Sequence, residues 1–158
     1  MGKIEVPAIE GWFTTGDQPT LMGTRCRTCG TVCFPPEAAL CRNPGCASTE
    51  LDPAPLSRRG RVWSYTDARY RPPPPYVPRT DPYQPFALAA VELDEGLVVL
   101  GQVADGYGVD DLAIGAPVEL VVEPLDEDDD SVTLMWRWRP LAAGDPPAGS
   151  QPAGEEAT

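Results

Sequence analysis

The sequence predicts a mostly β chain in two parts: a short ribbon held by cysteines, then a small barrel of five strands. Three observations lead there. Four cysteines fall into two close pairs, Cys26-Arg-Thr-Cys29 and Cys41-Arg-Asn-Pro-Gly-Cys46. Five short runs rich in β-branched and aromatic residues follow between Gly60 and Arg139. Finally, 20 prolines and 15 glycines in 158 residues interrupt the chain too often for long helices.

Residues 1–25 form an N-terminal arm or short helix. Trp12, Phe13, Leu21 and Met22 are its apolar anchors in a polar stretch. Residues 26–56 form the ribbon. Thiolates suit Zn²⁺, which takes four ligands tetrahedrally. A Cys-x-x-Cys turn sets two sulfurs on one side of the backbone, and Gly30 just after it permits the sharp turn. The second pair has four intervening residues instead of two, but Pro44 and Gly45 favour a turn that brings its sulfurs back together. Two pairs separated by about a dozen residues point to a zinc site made by Cys26, Cys29, Cys41 and Cys46. Two disulfides would need an oxidising compartment, a redox Cys-x-x-Cys would need a βαβ context, and iron could take the same four sulfurs. Structural zinc is the reading adopted, since four thiolates leave no open coordination position. Cys33, the fifth cysteine, reads as a small buried hydrophobe.

Residues 47–59 read as a polar connector, and the barrel spans residues 57–141. Its strands are Gly60–Tyr70, Phe86–Leu93, Leu97–Ala104, Pro117–Leu125 and Val132–Arg139. Asp94-Glu95-Gly96 makes a tight hairpin turn. Pro72–Pro85 is a proline-rich loop, Asp110–Ile114 a single helical turn, and Asp126–Asp130 a solvated acidic hairpin tip. Five strands with a helical turn between the third and fourth match a small Greek-key barrel of the OB type. Trp136 and Trp138 share a strand face with Val132 and Leu134, so they belong to the core. Residues 142–158, rich in Ala, Gly, Pro and Glu, read as a disordered acidic tail.

Composition narrows the function. The chain has no histidine, which removes a histidine base, a Ser-His or Cys-His pair and any histidine metal ligand. Its net charge of −12 disfavours a nucleic-acid partner, which needs a basic face. No apolar run reaches the roughly 20 residues of a membrane span. Residues 1–9 carry no apolar stretch of signal-peptide length, and the cytoplasm is the expected compartment.

Several stretches occur in an order that resembles the DUF35 family: CRTCGTVCFPPEAALCRNPGCAS, SRRGRVWSYTDARY, PFALAAVELDEGLVVLGQV, IGAPVELVV and the closing Arg139-Pro140. The resemblance covers about Trp12 to Leu141. It implies a rubredoxin-like zinc ribbon joined to an OB-fold domain, with Cys26, Cys29, Cys41 and Cys46 in the ligand positions. The wider spacing of the second pair departs from the family's pattern. So does the segment Thr14–Thr24, broken by Gly16, Pro19 and Gly23, where many members keep a helix. The resemblance further implies a non-catalytic accessory subunit of a thiolase or thiolase-like aldolase acting on acyl-CoA thioesters, the retro-aldolases of steroid side-chain degradation among them. Arg58, Arg59, Arg61, Arg69, Arg71 and Arg79 are candidate contacts for CoA phosphates or a partner, as are Tyr76 and Tyr83 of the proline loop. A single-stranded nucleic-acid binder and a stand-alone acyl-CoA-binding protein are the competing readings.

Overall fold

The computed structural model describes residues 2–142. Residues 143–158, nearly all of the tail read as disordered, lie outside the described residues. Nine strands and one short 3₁₀ turn make two sheets. The ribbon sheet joins β2 (Met22–Cys26), β3 (Val32–Cys33) and β4 (Leu51–Pro55), with β2 in the middle. The barrel uses β5 (Arg59–Ala68), β6 (Phe86–Leu93), β7 (Val98–Val103), β8 (Pro117–Glu127) and β9 (Ser131–Pro140). β1 (Ile4–Pro7) lies parallel to the first residues of β9.

The barrel closes because β9 reaches two neighbours. It pairs antiparallel with β8 along its whole length and parallel with the end of β7, through Gln102↔Arg137 and Val103↔Trp138. β5 then joins β6 on one side and the start of β8 on the other. Closure of this kind gives each barrel strand a neighbour on both sides for part of its length. Register breaks at Val62/Ser64 in β5 and Pro124/Asp126 in β8 supply the extra twist that a small barrel needs. In β6 the alternation is nearly complete: Ala87, Ala89, Val91 and Leu93 are buried, while the residues between them are not. With Val62, Val99, Val118, Leu120 and Trp138 they make one continuous core. Trp138 is fully buried and Trp136 nearly so, as the alternation of β9 predicts. Between them and β7 there is room only for glycine, since a Cβ on Gly101 would lie 2.9 Å from Trp138 Nε1.

The expected helical turn is a 3₁₀ turn at Val109–Asp111. One element differs from expectation. The stretch read as a polar connector contains β4, despite Pro53 and Pro55. Both prolines sit on an edge strand that pairs only with β2, where the lost N–H donors are tolerated. The arm, left open between extended chain and short helix, holds strand β1 and an isolated bridge, Phe13↔Leu21.

Ribbon and barrel meet at an aromatic cluster. Trp136 on β9 packs against Phe13 at 5.6 Å, Phe34 at 5.9 Å and Trp12 at 6.2 Å between ring centroids. Trp12 and Phe34 are themselves edge-on at 5.6 Å. Such pairs add about 0.5–1.5 kcal/mol each beyond the area they bury. The arm and the ribbon thus share the hydrophobic core of the barrel. No helix among the described residues is long and apolar enough to cross a membrane.

Candidate metal centre and surface cleft

The four paired cysteines converge. Their sulfurs all lie within 4.8 Å of one another, with Cys26 to Cys46 at 3.8 Å and Cys29 to Cys41 at 3.6 Å. Tetrahedral zinc with Zn–S near 2.3 Å requires sulfur–sulfur edges of about 3.8 Å. The donor set therefore fits Zn²⁺, and Cys26, Cys29, Cys41 and Cys46 are the residues that would hold it.

Local structure explains the convergence. Cys26 ends β2, and the Gly30 N–H donates to its carbonyl at 2.9 Å, closing the first knuckle with Gly30 at φ +77°. In the longer second loop, Asn43 absorbs the extra residues. Its side chain accepts from Gly45 N at 3.0 Å, and its carbonyl accepts from Cys46 N at 3.0 Å.

The thiols are not electrostatically alike. Hydrogen bonds with the Thr31 side chain and backbone bring Cys29 down to about 6. The Asn43 N–H pulls Cys41 down, but burial and its thiol neighbours outweigh it and carry Cys41 up to about 12. Four clustered thiols cannot all ionise on their own, because like charges at these distances oppose each other. A divalent cation at the centre removes that conflict. Its role is to tie β2 to the 41–46 loop, since a closed tetrathiolate has no position left for a substrate. Cys33, the expected buried hydrophobe, is half-buried on β3, away from this cluster.

The other candidates separate into three places. Arg58, Arg59 and Arg61 stand at the start of β5 beside Glu119. Arg58 Nε donates to the Pro19 carbonyl at 2.9 Å, and its Nη2 lies 3.8 Å from Glu119 Oε1. Arg59 lies 3.7 Å from the same oxygen, and Arg139 Nη2 donates to Glu119 Oε2 at 2.6 Å. Arg61 donates to the Gly115 carbonyl at 3.2 Å. Arg69 pairs with Asp67 at 2.8 Å, and Arg71 begins the proline loop.

Tyr76, Arg79 and Tyr83 do come together. They line a cleft of about 460 Å³ between the proline loop, the end of β7, the turn after it and β9. Tyr76 stacks on Phe86 at 6.3 Å, Tyr83 meets the same ring edge-on at 6.5 Å, and the Tyr83 hydroxyl donates to the Ala68 carbonyl. These contacts tie the loop down on the barrel wall.

The same cleft contains Arg137, Asp105, Gln102 and Tyr107, which sequence reasoning missed. On β9, alternation with two buried tryptophans assigns Arg137 to the outer face and hence to solvent. Asp105 of the turn after β7 and Glu123 of β8 lie against it, and nothing local in the sequence signals that arrangement.

Comparison with known proteins agrees with both halves. Residues 15–52 match the family model of the ChsH2 rubredoxin-like zinc ribbon domain. Residues 54–123 match that of the ChsH2 C-terminal OB-fold domain. A DUF35 domain-containing scaffold protein of Methanocaldococcus jannaschii is 31% identical over 136 residues, covering 84% of this chain and 90% of that protein. The chain belongs to the DUF35 family. The benzoylsuccinyl-CoA thiolase subunit BbsA of Geobacter metallireducens is 33% identical to this DUF35 chain over 123 residues, covering 76% of it and 73% of the subunit. Among solved structures, a chain of the Ltp2-ChsH2(DUF35) aldolase superposes with a TM-score of 0.57 at 30% identity, covering 77% of this chain and 84% of that one.

Proposed function

We propose that this DUF35 chain is a non-catalytic accessory subunit that docks on a thiolase-like enzyme and supports carbon–carbon bond cleavage or formation on acyl-CoA thioesters in the cytoplasm. The observation that carries the reading is that similarity extends across both ribbon and barrel to a protein named as a thiolase subunit and to a chain of an aldolase assembly. The chemistry of this chain fits a supporting role. It has no histidine to serve as a general base. Its one cluster of metal ligands among the described residues is a closed tetrathiolate, suited to holding a fold together. The reacting groups would then belong to the partner. Between the two reaction types, the retro-aldol branch draws on the aldolase chain and the thiolytic branch on BbsA.

The test is affinity capture of the tagged chain from its native cells under mild salt, with mass spectrometry of the retained proteins. A thiolase-family protein retained in near-stoichiometric amount is the expected result, and its activity should fall when the two are separated. Recovery of the chain alone across a range of salt would refute the reading.

A further inference from the structure

The outer face of β5, β6 and β7 carries large apolar side chains in water. Alternation turns Val62, Ala89, Val91 and Val99 inward and leaves the residues between them facing out. Register then places Ser64 opposite Ala90, and Ala90 opposite Leu100. At the break in β5 the extra residue is Trp63, and it too is exposed, at 61%. Leu100 is 59% exposed, and Val98, two positions before it on β7, is 47%. Ala90 is small, so Trp63 and Leu100 stand on either side of a low point in the sheet surface. Ile114, also exposed, lies at the margin, beside Gly115, whose N–H donates to the Val62 carbonyl at 2.8 Å.

Single exposed apolar residues are ordinary, but neighbouring ones with a tryptophan among them mark a contact surface. Charges on this face cancel. Arg61 faces Glu92 across β5 and β6, and its Nη1 donates to the Gly115 carbonyl at 3.2 Å. A nucleic acid therefore finds no basic ground here. The end of the chain has nothing to pack on it, since residues 143–158 hold no apolar side chain larger than proline. A second copy would bring a net charge of −12 up to another of −12, and charge of that size holds chains apart. The occupant that fits is an uncharged, apolar patch on a different protein.

We propose that Trp63, Leu100 and Val98, on the outer face of β5, β6 and β7, form the surface that docks the thiolase-like enzyme through an apolar patch of that enzyme. The inference rests on the accessory-subunit reading and adds to it the place of contact. Trp63 is the anchor, because a tryptophan ring buries a large area while fixing few torsions. All three side chains stand on paired strands of the barrel, so little backbone order is lost on docking. Arg61 and Glu92 lie at the rim, where water still reaches them and charge contributes little. Binding of this kind should hold as salt rises, because screening acts on charges and not on buried apolar area.

The experiment recombines the complete, zinc-loaded chain with the purified thiolase-like enzyme retained in the capture. Trp63→Ala and Leu100→Glu should each weaken binding about thirtyfold or more, the size of a hot-spot loss. Ile4→Ser, at an exposed apolar position on β1, should leave it within about twofold. Trp63 and Leu100 are both exposed, so both variants should fold, and unchanged melting and zinc content check this. A benzophenone side chain installed at Val98 should cross-link to the enzyme, which keeps the test open if a variant does not fold. Undiminished binding by both variants, an absent cross-link, or an equal loss in Ile4→Ser would each overturn the docking face and leave the accessory-subunit reading in place. A free chain that sediments as a dimer and is split by Leu100→Glu would assign the face to a second copy instead. An unaltered chain that binds no thiolase-like enzyme would sink both readings.

Discussion

The ribbon and the barrel are β structures of similar local geometry held together in different ways. The barrel buries a continuous set of apolar side chains from all five of its strands, with Val62, Val91, Val118, Leu120 and Trp138 almost wholly out of water. The ribbon sheet has three short strands, and its buried side chains are few: Thr24, Cys26 and Ala54 on the strands and Cys41 in the loop. Burial at about 25 cal/mol per Å² stabilises the first, with Phe13, Leu21 and Leu56 adding to its core. The second is too small to offset the entropy of ordering its loops and needs its metal. The lesson is that zinc and hydrophobic core are alternative solutions to one problem of scale, and the cluster around Trp136 is where the two solutions meet.

Removing the metal should break this comparison most strongly. Structural zinc is worth about 10–16 kcal/mol in zinc-finger peptides at neutral pH. Chelation, or Cys26→Ser, should therefore abolish amide protection across Met22–Pro55 while β6 to β9 stay protected in hydrogen exchange. Uniform loss of protection would show that the barrel depends on the ribbon after all.

A smaller effect is expected at the junction. Trp136→Ala removes the ring that Trp12, Phe13 and Phe34 all touch, and should cost about 3–5 kcal/mol. The loss should appear as independent unfolding of ribbon and barrel in denaturant, in place of a shared transition. Zinc affinity measured by competition should change little.

The smallest effect belongs to the tip of the barrel. Asp128 caps the β8–β9 turn: Oδ1 accepts from Ser131 N at 2.6 Å and Asp130 N at 2.8 Å, and Oδ2 from the Ser131 hydroxyl at 3.0 Å. The Ser131 and Asp130 N–H groups hold its carboxyl below the usual aspartate value. A depressed folded value means that the contribution is full above the unfolded value, about 3.9, and is lost as pH falls through the lower folded value. Asp128→Asn should therefore lower barrel stability slightly at neutral pH and flatten its acid-side dependence below about pH 4. Tryptophan-monitored melts against pH would read this, and an unchanged slope would refute it.

Much of this architecture was legible because it is written in local spacing. The pairs Cys26/Cys29 and Cys41/Cys46 announced a four-sulfur site, and the alternation in Phe86–Leu93 announced a half-buried strand. Asp94-Glu95-Gly96 marked the hairpin, and Gly96 does sit at φ +79° in it. β4 was hidden because Pro53 and Pro55 argue against a strand unless one knows that it lies on an edge. β1 was hidden because four residues joined in parallel to a strand 127 positions away leave no local trace.

The metal ligands and the strands of the barrel could be read directly from the chain, as could the lack of histidine. All of these depend on residue identity and short-range periodicity. That Trp136 joins arm and ribbon to the barrel emerges from the folded chain. The fold alone paired Arg58 and Arg59 with Glu119 while placing Arg79 beside Arg137 in a cleft. The physical reason is that burial of a side chain on an outward strand position is set by whatever chain crosses above it. For Arg137 that is the turn after β7, whose Asp105 lies 32 residues away in sequence, and no pattern within β9 can encode it.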